Sequence, residues 1–214
     1  MNITQLPLDK VFPKYVFPHL TIDEINILRK IKQFSKIPDP TPDITNKKWV
    51  YKIDEINNNN ELQIINTLPN WYNIEIKDAL YKNITNKDLK IFKNKKNIYY
   101  LEFCNCDKIS DVSALSNCHI LVLEKCNNIK DVSALSNCYH LILNNCKNIS
   151  DVSTLGNCKK LSLYRLNISN ISALSNCKIL DFIELNISDI SALGNCKKLK
   201  LERCNNISDI SVLK

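Results

Sequence analysis

The sequence predicts an α/β solenoid in which short units stack into one parallel β-sheet, preceded by a small α-rich N-terminal region. Two observations carry this prediction. From residue 99 onward the sequence repeats itself six times, every 19 or 20 residues. All ten cysteines lie in this half of the chain, nine of them at two fixed positions of the repeat. The 214 residues are 44% hydrophobic, which is enough to bury a core and argues against disorder.

Each unit begins with two large apolar residues spaced two apart, such as Leu121 and Leu123. That spacing places both side chains on one face of a short strand, and stacked units bring such strands side by side. The aligned units are YYLEFCNCDKISDVSALSNC, HILVLEKCNNIKDVSALSNC, YHLILNNCKNISDVSTLGNC, KKLSLYRLNISNISALSNC, KILDFIELNISDISALGNC and KKLKLERCNNISDISVLK.

The second half of each unit predicts a 3₁₀-like return segment, because apolar residues recur there every three positions and 20 residues cannot hold a long helix as well. Ile129, Val132 and Leu135 are one example. A polar residue before the Val or Ile is expected to bond the local backbone and open the turn. These residues are Asp111, Asp131, Asp151, Asn170, Asp189 and Asp209. We expect the same role at the next bend for Asn117, Asn137, Asn157, Asn176 and Asn195.

The cysteines are interpreted as small buried apolar residues. One ladder contains Cys106, Cys126, Cys146, Leu166, Leu185 and Cys204, and Leu could not replace a metal ligand. The other ladder contains Cys118, Cys138, Cys158, Cys177 and Cys196. No pair has zinc-ribbon spacing, so we expect no metal and no cofactor. Cys104 alternates outward and is the strongest candidate for a reactive thiol, although a bland exposed cysteine is the simpler alternative.

The units resemble leucine-rich repeats, in particular the cysteine-containing subclass of F-box proteins and the internalin-type repeat with its I-S-D-I-S-x-L phrase. A longer unit over residues 84–106 matches the cysteine-type spacing, and Ile74 and Ile76 supply a strand before it. The resemblance covers residues 71–214. It implies a leucine-rich-repeat solenoid with a parallel β-sheet on its concave face.

The strand residues that alternate away from the core line this concave face, and they vary between units while core positions hardly change. A solvated sheet surface is one interpretation; apolar residues and Tyr164 among them favour a protein-binding surface. The predicted partner-binding residues are Tyr100, Glu102, Ile120, Val122, Glu124, His140, Ile142, Asn144, Ser162, Tyr164, Arg165, Asp181, Ile183 and Glu184.

Several function classes are disfavoured. Residues 99–214 carry 13 Lys and Arg against 11 Asp and Glu, a net charge of only +2, which does not favour nucleic acid. The histidines His19, His119 and His140 stand beside no plausible nucleophile–acid pair, so no catalytic residues are predicted. No apolar run approaches a membrane span, and no signal peptide is visible, which predicts a cytoplasmic protein, or one in a host-cell cytoplasm for a parasite or virus.

Residues 1–70 form the predicted N-terminal region, with a helix over 21–34 that opens on a Thr21–Glu24 capping box. This segment is similar to an F-box, although Pro13 and Pro18 interrupt the expected first helix. The resemblance implies docking on a Skp-type adaptor of a cullin–RING ubiquitin ligase through Leu6, Pro7, Val16, Phe17, Leu20, Ile25, Leu28 and Ile31. The alternative is a cap that shields the first repeat.

The sequence therefore predicts a non-enzymatic interaction protein, either an F-box-type substrate receptor or a plain leucine-rich-repeat scaffold with an N-terminal cap. No polar cap follows the last return segment, which ends at Leu213. We expect the strand around Leu199 and Leu201 to present an open edge and to support self-association.

Overall fold

The computed structural model describes residues 41–43, 48–53, 65, 72–79, 83–96 and 98–213. Its strands form one nine-stranded sheet in sequence order. The first pair is antiparallel and every later pair is parallel. The strands are β1 (Thr41–Asp43), β2 (Lys48–Ile53), β3 (Tyr72–Ala79), β4 (Ile98–Cys104), β5 (Ile120–Glu124), β6 (His140–Asn144), β7 (Lys160–Tyr164), β8 (Ile179–Ile183) and β9 (Lys198–Glu202).

Short helices return the chain between strands, as predicted. One α-helical turn, α1 (Asn86–Leu89), lies between β3 and β4, and the return helices described after it are 3₁₀. The 3₁₀ helices cover Lys90–Phe92, Ser113–Leu115, Ser133–Leu135, Ser153–Asn157, Ser172–Asn176 and Ser191–Leu193. Among the described residues, no helix is long and apolar enough to cross a bilayer.

The core lies between the sheet and these helices. Leu121 and Leu123 are fully buried, and so are their equivalents in β6 and β7, which confirms the two-residue strand pattern. The longer unit is confirmed as well: Ile84, Leu89 and Phe92 are buried, and the Phe92 ring meets Phe103 edge to face at 6.2 Å. Each unit shares its apolar edge with the next, so the core runs through the stack.

The return turns are opened by side-chain acceptors, as the sequence predicts. The Asp151 carboxylate accepts a hydrogen bond from the Ser153 backbone N–H at 2.8 Å. The same bond recurs in every unit, from Ser113, Ser133, Ser172, Ser191 and Ser211 to the acidic or amide side chain two residues earlier. These bonds hold the pKa of the aspartates below its usual value. Of the second asparagine set, Asn117 donates to the Lys93 carbonyl at 3.3 Å.

The residue after each of strands β4 to β9 adopts a left-handed backbone conformation, which was not predicted from the sequence. The six residues have φ between 51° and 55°, and none is glycine; they are Asn105, Lys125, Asn145, Arg165, Glu184 and Arg203. Five of the six donate their backbone N–H to a carbonyl of the next unit; the Lys125 N–H, for example, donates to the Asn144 carbonyl at 2.9 Å. The conformation is strained for a residue with a Cβ, so the bond between units stabilises it.

Both cysteine ladders lie in the core, as predicted. The buried members include Cys106, Cys126 and Cys146, all at 0% exposure, whereas the last two, Cys196 and Cys204, are half-buried. Many of the thiols contact carbonyl oxygens of the preceding unit; Cys146 Sγ lies 3.5 Å from the Leu123 oxygen. Burial raises the pKa of Cys138 to about 12, which keeps this thiol protonated.

Cys104 was predicted to be an exposed cysteine, either reactive or bland, and its exposure is what the structure contradicts. Cys104 does alternate to the concave face, opposite Glu124, but only 9% of it is exposed. Its Sγ lies 3.8 Å from Glu102 Oε1. The short Cys104 side chain is shielded by longer neighbours, which period-two alternation alone does not reveal.

Two close approaches between units require glycine. A Cβ on Gly156 would overlap the backbone carbonyl oxygen of Ala173 in the next return helix. A Cβ on Gly194 would instead lie 2.8 Å from Val212 Cγ2, a side-chain atom. Both contacts join consecutive units, so space between the return segments is limited at these two junctions.

The sheet also extends into the predicted N-terminal region. Strands β1 and β2 lie within residues 1–70, and β2 pairs in parallel with β3 from Trp49 opposite Tyr72 to Ile53 opposite Ile76. Strand β1 lies within the proline-rich stretch 38–45. The predicted helix over 21–34 lies outside the described residues.

Candidate protein-binding face

The predicted face residues form three rows across strands β4 to β9. Cross-strand pairing fixes each row, so neighbouring members belong to neighbouring strands. The row at strand entry is Tyr100, Ile120, His140, Lys160, Ile179 and Lys198. The middle row is Glu102, Val122, Ile142, Ser162, Asp181 and Lys200, and the row at strand exit is Cys104, Glu124, Asn144, Tyr164, Ile183 and Glu202.

Three apolar side chains lie together on the β5–β6 part of this face. Ile120 and Ile142 are half-buried, and Val122, between Glu102 and Ile142 in the middle row, is 8% exposed. On β4, Tyr100 turns its hydroxyl to donate to Glu102 Oε2 at 2.8 Å. A partner covering this part would remove apolar surface from water.

His140 and Ser162 form a polar pair at the centre of the face. His140 Nε2 lies 3.1 Å from Ser162 Oγ, and Ser162 is only 1% exposed. Burial, together with the charge of Lys160 beside it, lowers the pKa of His140 to about 4, with Asp181 opposing the shift. The imidazole is therefore neutral near pH 7. Sequence reasoning missed this pair because the two residues are 22 positions apart and meet only through strand register.

The His140–Ser162 pair does not assemble a catalytic triad. Asp181 stands opposite Ser162 on β8, but its Oδ2 accepts a hydrogen bond from the Tyr164 hydroxyl at 2.8 Å. Its other oxygen, Oδ1, is buried without a hydrogen bond and lies 3.8 Å from Lys200 Nζ. Ser162 is covered rather than presented to solvent, so it lacks the access that a nucleophile needs.

The strand-exit rim carries a charged network. Glu184 accepts a hydrogen bond from Arg165 Nε at 2.8 Å and another from Arg203 Nη1 at 2.7 Å. These two guanidinium groups lower the pKa of Glu184 to about 2. All three residues hold the left-handed position after their strands, so the network links three successive units. Arg165 and Glu184, both predicted to bind a partner, are thus already paired with each other.

An aromatic stack marks the strand-entry edge. The His119 ring lies between Tyr99, at 4.9 Å, and Tyr139, at 4.5 Å, in nearly parallel planes. Lys159 Nζ lies 5.3 Å from the centre of the Tyr139 ring, within the range of a cation–π contact. The sequence places His119 and His140 out of register, and the structure puts them in separate clusters accordingly.

The remaining predicted site residues lie beyond the described part of the chain. This holds for all eight adaptor-binding candidates, from Leu6 to Ile31, and for His19. Among the residues that the structure describes, no cluster of His, Cys, Asp and Glu is arranged to hold a metal ion.

Two of the solved structures to which the chain is similar are internalins of Listeria monocytogenes. Internalin C2 is 23% identical, aligns over 78% of this chain and 75% of its own, and gives a TM-score of 0.51. The internalin InlF is 18% identical over 97% of this chain and 80% of its own, with a TM-score of 0.42. No family model matches the sequence, and neither does any curated protein.

The parallel strands, the 3₁₀ returns and the match to internalin C2 decide the architecture. The fold is a leucine-rich-repeat solenoid. At 23% identity the likeness to internalin C2 concerns the fold, and the predicted resemblance to cysteine-containing, internalin-type repeats is confirmed at that level. In this leucine-rich-repeat protein the three rows described above form the solvent-facing side of the sheet.

Proposed function

We propose that this solenoid is a non-enzymatic interaction scaffold that binds a protein partner on its concave face. The observation that carries the proposal is the contrast between rows. The buried rows repeat nearly the same apolar residues, whereas the middle row changes from Glu102 and Val122 to Ser162 and Asp181. A face that only met solvent would not need half-buried isoleucines beside a preorganised polar cluster.

Two parts of the face suit different parts of a partner. The apolar part around Ile120 and Ile142 offers contact area, and the Tyr164–Asp181 pair offers a fixed hydrogen-bonding group. Because the Tyr164 hydroxyl is already oriented by Asp181, less entropy is lost when a partner meets it. Tyrosines in such positions are common anchors of protein interfaces.

The experiment immobilises the wild-type chain and two matched double variants as baits. It compares the proteins that each bait retains. I142E/I183E places two carboxylates on the concave face, and S150E/S188E adds the same charge on exposed return turns. We expect a specific set of proteins, identified by mass spectrometry, to be retained by the wild type and S150E/S188E and lost by I142E/I183E.

Two results would contradict the proposal. Equal retention by both variants would place binding elsewhere, and equal loss would indicate a charge effect without a specific surface. Circular dichroism of both variants ensures that a loss of binding is not a loss of fold. A protein that passes this comparison is then purified and titrated directly.

The finer proposal, a ligase substrate receptor, depends on the F-box-like residues alone. Titration with a purified Skp-type adaptor tests it, with I25D/L28D as the variant expected to lose binding. Absence of adaptor binding by folded wild-type protein would leave the plain scaffold. Self-association through the edge of β9 likewise stays a prediction, which light scattering tests.

A further inference from the structure

Five lysines gather at the strand-entry edge of β7, β8 and β9. Each of these strands is preceded by or begins with lysine, and neighbouring strands lie about 4.8 Å apart, so the cluster spans roughly 10 Å. Its members, called the lysine edge below, are Lys159, Lys160, Lys178, Lys197 and Lys198. Backbone bonds across the edge fix their order: the Lys197 N–H donates to the Lys178 carbonyl at 2.9 Å.

Within the described residues, no ion pair neutralises the positive charge of the lysine edge. Four of its members are exposed and Lys160 is half-buried. Within the described residues none of the five belongs to an ion pair, in contrast to Lys125 and Lys200. The three segments that carry them, Ser153–Ser162, Ser172–Leu180 and Ser191–Leu201, contain no Asp or Glu. The acids of these units lie at strand exits and return turns or, like Asp181, farther along the strand.

The stack of Tyr99, His119 and Tyr139 continues the edge toward β4. Each ring face inside the stack is covered by its neighbour, and Lys159 lies over the Tyr139 ring. The ring faces inside this stack are therefore not open to nucleic-acid bases, although base stacking is what single-strand binding surfaces usually provide. The aromatic stack instead positions Lys159 through its contact with Tyr139.

The charge of the lysine edge and its length indicate the chemistry of its partner. Lysine ammonium groups are compact point charges without the bidentate geometry that favours arginine for phosphate. Glu202 and Asp181 lie farther along the same strands and would repel a phosphate backbone that crossed the sheet. A short anionic patch on a protein matches a cluster of this size better than a nucleic acid does.

From these observations we infer that the lysine edge binds an acidic segment, rich in Glu and Asp, of the protein that occupies the concave face. The inference rests on the proposed function, since it places the acidic segment of the same partner beside the apolar rows. Lys160 and Lys198 belong both to the lysine edge and to the strand-entry row of the concave face. One partner can therefore contact both surfaces without a gap.

The test uses the full chain and a short, fluorescein-labelled, glutamate-rich peptide as the probe, followed by fluorescence anisotropy. K178E/K197E reverses two exposed charges of the lysine edge. K130E/K147E reverses two exposed lysines on return turns and changes the net charge by the same amount. We expect K178E/K197E to weaken peptide binding about tenfold and K130E/K147E to change it little. Added sodium chloride should weaken wild-type binding.

Three outcomes would overturn the inference: no binding of the peptide by wild-type protein, equal weakening by both variants, or tighter binding of a thymidine oligonucleotide of equal length that K178E/K197E abolishes. None of these depends on a concave-face partner being found, because the probe is synthetic. Conversely, a partner lost in I142E/I183E but unaffected by K178E/K197E would leave the proposed function standing and overturn the acidic-segment inference alone.

Discussion

The interior units and the last unit contain the same residue types at the same positions but bury them to different extents. Leu180 and Phe182 in β8 are fully buried, whereas Leu199 and Leu201 in β9 are half-buried. At the return segment the contrast is larger: Ile190 is 1% exposed and its equivalent Ile210 is 61% exposed.

This difference shows that residues of the solenoid core are buried by the neighbouring unit rather than within their own unit. Leu193 becomes part of the core because another unit follows it, whereas its equivalent Leu213 is 39% exposed. Stability in such a stack is the sum of weak intrinsic terms and stronger neighbour terms. Matched substitutions in interior and terminal units measure those neighbour terms directly.

The largest difference is expected between Leu161→Ala and Leu199→Ala. Leu161 is fully buried, so its truncation leaves a cavity and should lower the free energy of unfolding by about 3 kcal/mol. Truncation of the half-buried Leu199 should lower the free energy of unfolding by only about 1 kcal/mol. Urea unfolding followed by circular dichroism measures both. Equal losses would mean that the last unit is as tightly packed as the interior.

Glycine substitutions provide a second matched pair. Gly156→Ala sets a Cβ against the Ala173 carbonyl, so backbone must move, and we expect a loss of about 2 kcal/mol. In Gly194→Ala the Cβ would lie 2.8 Å from Val212 Cγ2 and 3.4 Å from the Val212 carbonyl oxygen, so the side chain must shift most, and the change should cost less than half as much. Thermal unfolding of the two variants distinguishes them, and a larger effect at Gly194 would contradict this account.

Loss of a turn acceptor should have a smaller effect. Asp151→Ala removes the acceptor for the Ser153 N–H in an interior unit and should lower the unfolding temperature by roughly 2–4 °C. Asp209→Ala removes the same bond in the last unit and should leave the main transition unchanged. Hydrogen exchange of Ser211 and its neighbours should nevertheless quicken. A similar main-transition shift in both variants would show that the last unit unfolds together with the rest.

Protonation of His140 should have the smallest effect, because solvent screens a half-buried group. Its pKa is lowered from 6.5 to about 4 in the folded protein, so the unfolded state binds the proton more readily between these values. The stability present above pH 6.5 is therefore lost as the pH falls toward 4. H140N should remove that part of the slope.

A histidine at the terminal position of the same row serves as the control. K198H should titrate near the ordinary histidine value, because Lys198 is exposed and, among the described strands, β9 pairs with β8 alone. Two-dimensional NMR of the imidazole C–H groups reports both pKa values. A His140 pKa near 6.5 would contradict the burial that the structure gives it.

The features that depend on the repeat period and on residue type within one unit could be predicted from the sequence. The apolar pairs, the 3₁₀ returns, the aspartate turn bonds and the buried cysteines all follow from patterns within a single unit. The His140–Ser162 pair and the Tyr99–His119–Tyr139 stack depend on side chains from different units meeting in register. Cys104 was misplaced for the same reason, because longer neighbours shield it. The left-handed residues after strands β4 to β9 were missed because only Asn105 and Asn145 are of a type that favours this conformation, whereas Lys125 and Arg165, for example, are not.

The reactivity of the ladder cysteines reports which units of the protein have unfolded. A small disulfide reagent needs an exposed thiolate, and burial keeps Cys138 and Cys158 protonated and covered. Each interior thiol can therefore react only after its unit opens, whereas the half-buried Cys196 and Cys204 react from the closed stack. The order in which the thiols become labelled reads out, unit by unit and without any engineered probe, where the solenoid comes apart first.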